Sequence, residues 1–268
     1  MADTPASRSL PGRFEGLSPV SFVLMVAAGA VILASMGQVA PSPQRLIDGA
    51  PGMVRLMDRM MPPNTDPDFL IRMGWRIVET FQIALVGAAI GIVLSLPIGW
   101  LSARGITPLG RGGFLMKAFV SLMRTVPDLV WALLFVATVG LGAVAGTMTI
   151  VVDTIGFCGR FFAEAMEDSD KEPQEALAAI GASRVSILLG AILPDAAPSM
   201  INTALFALEK AVRSSVVLGL VGAGGIGQEL KVAFDLFQYR NASMIILAIF
   251  VIVLVMEYLT DRLRARLQ

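Results

Sequence analysis

Between Gly16 and Gln44 the chain carries no charged residue, and the same holds from Thr80 to Ala103 and from Leu129 to Val152. Each run exceeds the roughly 20 apolar residues a helix needs to cross a bilayer. Only 16% of the 268 residues are charged, against about a quarter in a soluble domain. In hydrocarbon every backbone polar group needs an internal partner, which leaves helices or closed barrels. Runs this long are helical, so the expected fold is an all-α polytopic membrane protein.

Six spans are expected. Val20 to Ala40 is the first, and Arg8 and Arg13 before it, with no small-residue cleavage pattern after it, mark it as retained and not as a signal peptide. Thr80 to Ala103 is the second. Apolar character from Phe114 to Met166 covers about 50 residues, too long for one span, and Gly140-Leu141-Gly142 and Gly146 interrupt it. Two helices joined by a glycine turn are predicted there. Ala196 to Leu208 begins a span that continues through Glu209, Lys210 and Arg213, and Asn241 to Leu259 is the last. Arg104, Arg111 and Lys117 in one loop, and Arg262, Arg264 and Arg266 at the C-terminus, place both on the cytoplasmic side, as an even span count places the N-terminus.

The expected division is residues 1–75, a first span plus an outer amphipathic segment, and residues 76–268, the transport core. Leu46, Ala50, Met53, Val54, Met57 and Met61 form a helical stripe, read as a helix lying on the outer leaflet. There is no histidine, so histidine metal sites, general bases and proton relays are excluded. A net charge of zero argues against a nucleic-acid partner. The lone Cys158 cannot form an internal disulfide, and the 15 methionines read as packing residues.

One polar segment, about 164–195, sits between apolar ones. Its first half is acidic (Glu164, Glu167, Asp168, Asp170, Glu172, Glu175). Pro173 suits a first helical turn, Gly181 can end that helix, and Ser183 to Leu189 offers a second short helix. Within it, Glu175-Ala176-Leu177, three residues, Gly181, then Ala182, Ser183 and on to Leu193-Pro194 resembles the EAA loop of ABC importer permeases. That pattern runs E-A-A, three residues, G, nine residues, I-x-L-P, and Leu177 and Ala191 depart from it. Further stretches, Arg124 to Ala132 and Arg213 to Gly227, are similar to permeases of phosphonate and phosphite importers, with Asp153 standing where a histidine is expected. The resemblance covers about Thr80 to the C-terminus.

It implies a type I ABC importer fold with Glu175, Ala176, Leu177, Gly181, Ala182, Ser183 and Pro194 coupling to an ATPase. It also implies a second copy of the chain, a cytoplasmic ATPase dimer, and a periplasmic or lipid-anchored substrate-binding protein, in the inner membrane. No G-x-x-x-x-G-K-[ST] occurs, so this chain is expected to hold no cofactor and to be no enzyme, with ATP and Mg bound by the partner ATPase.

Charges inside spans are costly and face a cavity or a partner. Glu209 and Arg213, four apart, share a helix face, and Lys210 points about 100 degrees away. Arg213, with Ser214 and Ser215, either lines a pathway for an anionic phosphonate, whose oxygens a guanidinium fork fits, or belongs to a structural ion pair. Arg124 and Asp128 read as a second, structural pair around a kink at Pro127. Asp153 either lies in the pathway or bonds to another span.

Gly222, Gly224, Gly225 and Gly227 satisfy G-x-G-x-x-G, but a dinucleotide fold needs a βαβ unit and the next segment is a span. They read instead as a turn at the outer gate or a binding-protein contact. Methionine is the rival cargo. An ion-coupled carrier leaves the EAA-like loop unexplained, and an intramembrane enzyme has no catalytic constellation.

Overall fold

The structure is a computed structural model that describes residues 18–39 and 42–267. Arg8, Arg13 and Ala40, and the side chains of Leu46 and Arg266, lie outside the described residues. The described chain is helical: α1 Pro19–Val39, α2 Pro43–Met60, α3 Pro67–Ser102, α4 Gly113–Thr125, α5 Asp128–Val139, α6 Ala143–Glu167, α7 Lys171–Ala179, α8 Arg184–Ile187, α9 Leu193–Gly219, α10 Ile226–Asp235 and α11 Tyr239–Leu267. Five of these (α1, α3, α6, α9, α11) are long and apolar enough to span, and the bent pair α4 and α5 brings the number to six if it is one broken span.

Two compact units divide at Met57 and Asp58, earlier than the boundary expected after residue 75. The reason lies in α3. Its core-facing side begins at Phe69 and Met73, so the first turns belong to the core although Asp68, Arg72, Arg76 and Glu79 share them. Charge ends a hydropathy run without ending a helix, and α3 therefore starts thirteen residues before the apolar stretch at Thr80. In the first unit, the expected amphipathic segment is helical as α2, with Met53, Val54 and Met57 exposed.

The second unit is organised by a small-residue stripe on α3. Gly87, Gly91, Ser95 and Gly99 recur every four residues and therefore share one face. A Cβ added at Gly87 would stand 2.8 Å from Cβ of Ile150, at Gly91 2.5 Å from Cβ of Thr154, and at Gly99 2.9 Å from Cβ of Phe162. Because both numbers rise together, α3 and α6 run parallel at nearly backbone-to-backbone distance. Ser95 Oγ donates to the Gly91 carbonyl at 2.7 Å, so even the polar member of the stripe is satisfied within the helix.

The broken span departs from a simple kink. Helices α4 and α5 meet at 88° across Val126-Pro127, where proline has no N–H to continue the ladder. As expected, Gly140 and Gly142, at φ 98° and 128°, then turn the chain into α6. Helix α9 runs 27 residues without interruption through Glu209, Lys210 and Arg213.

Candidate functional site

The polar segment builds a helix–turn–helix knob. Asp170 caps α7 by accepting from the Glu172 N–H at 3.1 Å, and its own N–H donates to Asp195 Oδ2 at 2.8 Å. At the far end Gly181, φ 80°, donates to the Ala178 carbonyl at 3.0 Å, and Ala182 donates to the Leu177 carbonyl at 3.0 Å. That reciprocal pattern is a Schellman cap, which needs a left-handed residue at Gly181. Ser183 Oγ then accepts from the Ser186 N–H at 3.2 Å and starts α8. A π-helical turn, Leu188–Ile192, leads directly into α9, whose second residue is Pro194.

Glu175 and Ala176 are exposed on the knob. So are Ile180, at 79%, and Val185 and Leu189, an apolar outward surface that the motif by itself did not single out. The knob is tied to the loop after α3: Arg184 Nη1 donates to the Thr107 carbonyl at 3.3 Å, and Glu167 Oε1 accepts from the Arg104 N–H at 2.7 Å. A groove of about 550 Å³ separates loop from knob, lined by Ile106, Thr107, Gln174, Glu175, Arg184 and Ile187.

The charges of α9 pair in two directions. Glu209, 8% exposed, accepts from Arg213 Nη2 at 2.7 Å, as their spacing predicts. Its second oxygen accepts from Arg264 of α11 at 3.1 Å and lies 3.4 Å from Thr260 Oγ1. Lys210 reaches the other way, to Asp153 Oδ1 on α6 at 2.8 Å, so Asp153 bonds to another span. Three phenyl rings continue this surface. Phe157 lies 4.8 Å from Phe161 and 5.5 Å from Phe206 between centroids, and each ring carries a cation over its face: Lys210 on Phe157, Arg124 on Phe161, Arg264 on Phe206.

Three expectations need correction. Arg124 and Asp128 do not pair, because the 88° break falls between them and removes the shared helix face. Asp128 accepts instead from Ser214 Oγ at 3.1 Å and from the Leu129 N–H at 2.9 Å, and Arg124 forms no ion pair among the described residues. Ser215 is not on the charged face. It is buried, donating to the Val212 carbonyl at 2.9 Å with the Thr80 carbonyl at 3.4 Å.

The third concerns the glycine segment, where Gly222, Gly224, Gly225 and Gly227 are all buried and present no surface to a partner. The Ile226 N–H donates to Thr80 Oγ1 at 2.8 Å. A Cβ on Gly224, φ 85°, would stand 2.9 Å from the Ala143 N. These glycines let the turn after α9 fold back against α3 and the start of α6. Arg76 fastens the same corner, bonding Glu79 at 2.7 Å and Glu229 of α10 at 3.0 Å. Exposed apolar side chains in this region include Leu220, Val232, Phe234, Leu236 and Phe237.

The described chain is a helical, multi-span membrane protein whose polar knob feeds straight into a charge-bearing helix. The chain belongs to the binding-protein-dependent transport system inner membrane components, which it matches over residues 95–268. It is 33% identical to the phosphite transport system permease protein PtxC of Stutzerimonas stutzeri, over 89% of this chain and 86% of that one. It is also 36% identical to the phosphate-import permease protein PhnE of Mycolicibacterium smegmatis over 80% of this chain, although it spans only 40% of that relative's length. Among solved structures, the inward-facing MetNI methionine ABC transporter superimposes with a TM-score of 0.64 at 24% identity, covering 76% of this chain and all of that one. The last similarity establishes the fold.

Proposed function

We propose that this chain is the membrane subunit of an ATP-driven importer for phosphite, phosphonate or a related small phosphorus oxyanion. The names of relatives that align over most of its length support that class of cargo. The observation that carries it is Glu209. One buried carboxylate serves two guanidiniums, Arg213 and Arg264, and Arg264 also meets Asp261 at 3.7 Å, so Arg213 holds only a shared acceptor inside a span. Arg213 remains 47% exposed at its side chain, with Nη2 alone engaged, so the other edge of its fork is open to an oxyanion.

In this reading two copies of the chain enclose the pathway. A cytoplasmic ATPase dimer binds ATP and Mg and grips the α7–Gly181–α8 knob, while a periplasmic or lipid-anchored binding protein delivers cargo from outside. Both termini are cytoplasmic, and α2 lies on lipid at the outer face. Transmission follows from continuity: α9 leaves the knob at Leu193 and reaches Arg213 in one unbroken helix, about 30 Å at 1.5 Å per residue. A push on the knob therefore moves Glu209, Lys210 and Arg213 together.

The test is uptake of labelled phosphite and methylphosphonate by cells with and without this chain, with methionine as the control because methionine permeases are also relatives. Loss of oxyanion uptake alone supports the reading. Loss of methionine uptake alone refutes the cargo and leaves the importer architecture standing.

A further inference from the structure

We infer that Lys210 and Asp153 form an exchangeable ion pair in which Asp153 occupies the position of the transported anion until cargo displaces it. The inference rests on the oxyanion reading above and assigns a role within it.

The two intramembrane salt bridges on this surface are built differently. Glu209 is almost wholly buried and both of its oxygens are engaged, so it is a fixed anchor. Lys210 and Asp153 are both partly exposed, 35% and 21% at their side chains, and join α9 to α6 through a single contact at 2.8 Å. Among the described residues, Asp153 is the only anion that pairs with Lys210. A lysine carries a compact charge on a flexible four-carbon stem, and it can swing from one acceptor to another without dismantling a fork. The face of Phe157, with its centroid 5.3 Å from Nζ, holds the ammonium in place while its anion changes.

The carboxylate also answers a requirement of transport, since a site must hold its cargo weakly enough to release it. When an oxyanion takes over Lys210, Asp153 is left charged and unpaired beside it, and like-charge repulsion limits the affinity. Asp153 is then a determinant of release and Lys210 a determinant of capture. This is a different task from that of Arg213, whose orientation Glu209 sets.

The experiment measures phosphite uptake by cells expressing the complete transporter with wild-type chain, Asp153→Asn, Lys210→Met and the double variant, each normalised to its abundance in the membrane. Exchange predicts that Asp153→Asn lowers KM and the maximal rate several-fold, because the site no longer expels its anion. It predicts that Lys210→Met raises KM about tenfold, the scale of one charge-assisted hydrogen bond, and that the double variant behaves like Lys210→Met. A structural pair predicts the reverse pattern: each single variant loses abundance with KM unchanged, and the double variant recovers, because a neutral pair replaces a buried ionic one at little cost. That result overturns the inference. If the wild-type complex takes up neither phosphite nor methylphosphonate, the cargo reading itself has failed and the exchange falls with it.

Discussion

Glu209 joins two spans that are far apart in sequence, and its loss has a calculable consequence. Its carboxylate bonds Arg213 on its own helix at 2.7 Å and Arg264 on α11 at 3.1 Å, with only 10% of its side chain exposed and 28% of that of Arg264. Exposed pairs contribute up to about 1 kcal/mol, and breaking a buried pair by removing one partner costs about 3–5. The Glu209–Arg264 contact lies between these limits, so a coupling of about 2 kcal/mol is expected.

The perturbation is a double-mutant cycle with Glu209→Gln and Arg264→Met, which keep side-chain size while removing charge. The assay is the midpoint of thermal unfolding of the purified chain in detergent, followed by tryptophan fluorescence. Each single variant should fall by roughly 5 °C, from about 2–4 °C per kcal/mol at this chain length, and the double variant should fall by little more than either one. Additive losses, with a coupling under about 0.5 kcal/mol, would refute the reasoning, because independent sites are what additivity reports.

Gly181→Ala should cost about 1 kcal/mol at the knob by forcing an L side chain into left-handed backbone, and Gly181→Asn less. The expected readout is reduced cargo uptake per ATP hydrolysed at normal membrane abundance. Gly91→Leu should prevent α3 from approaching Thr154 of α6 and lower membrane abundance severely, while Ser95→Ala, whose hydroxyl bonds within its own helix, should change abundance little; equal effects would contradict the parallel stripe. Thr80→Val should loosen the turn after α9 by removing the acceptor for the Ile226 N–H, costing about 1–3 kcal/mol for a buried unpaired group, with faster hydrogen exchange at residues 222–227 as the measure. Ser215→Ala should leave uptake unchanged, since that hydroxyl faces Thr80 and not the charged surface.

The helix, glycine turn and second short helix of the knob were legible, although Asp170 was not singled out as its cap. Its caps are local: Asp170, Gly181 and Ser183 each act on backbone within five positions, and local rules can be read from a string of letters. The Glu209–Arg213 pair was legible for the same reason, being one helical turn apart. Arg124 and Asp128 have the same spacing, yet reasoning from it misled, because Val126-Pro127 broke the helix instead of bending it. The buried glycines of the 222–227 turn looked like a surface feature because a glycine run says that backbone turns or packs closely. It does not say against what, and here the partners were Thr80, Ala143 and Val216.

From the sequence alone came the membrane, the all-helical class and the helix–turn–helix knob, because bilayer thickness and backbone hydrogen bonding act on consecutive residues and leave a mark on them. Tertiary structure alone decided which charges meet. Lys210 finds Asp153 across 57 positions and Glu209 finds Arg264 across 55, and among the described residues Arg124 meets no carboxylate because a single break redirected the helix that carries Asp128. Such pairings depend on how helices approach one another, which distant residues decide together, as the glycines of α3 do where their want of a side chain lets α6 come close.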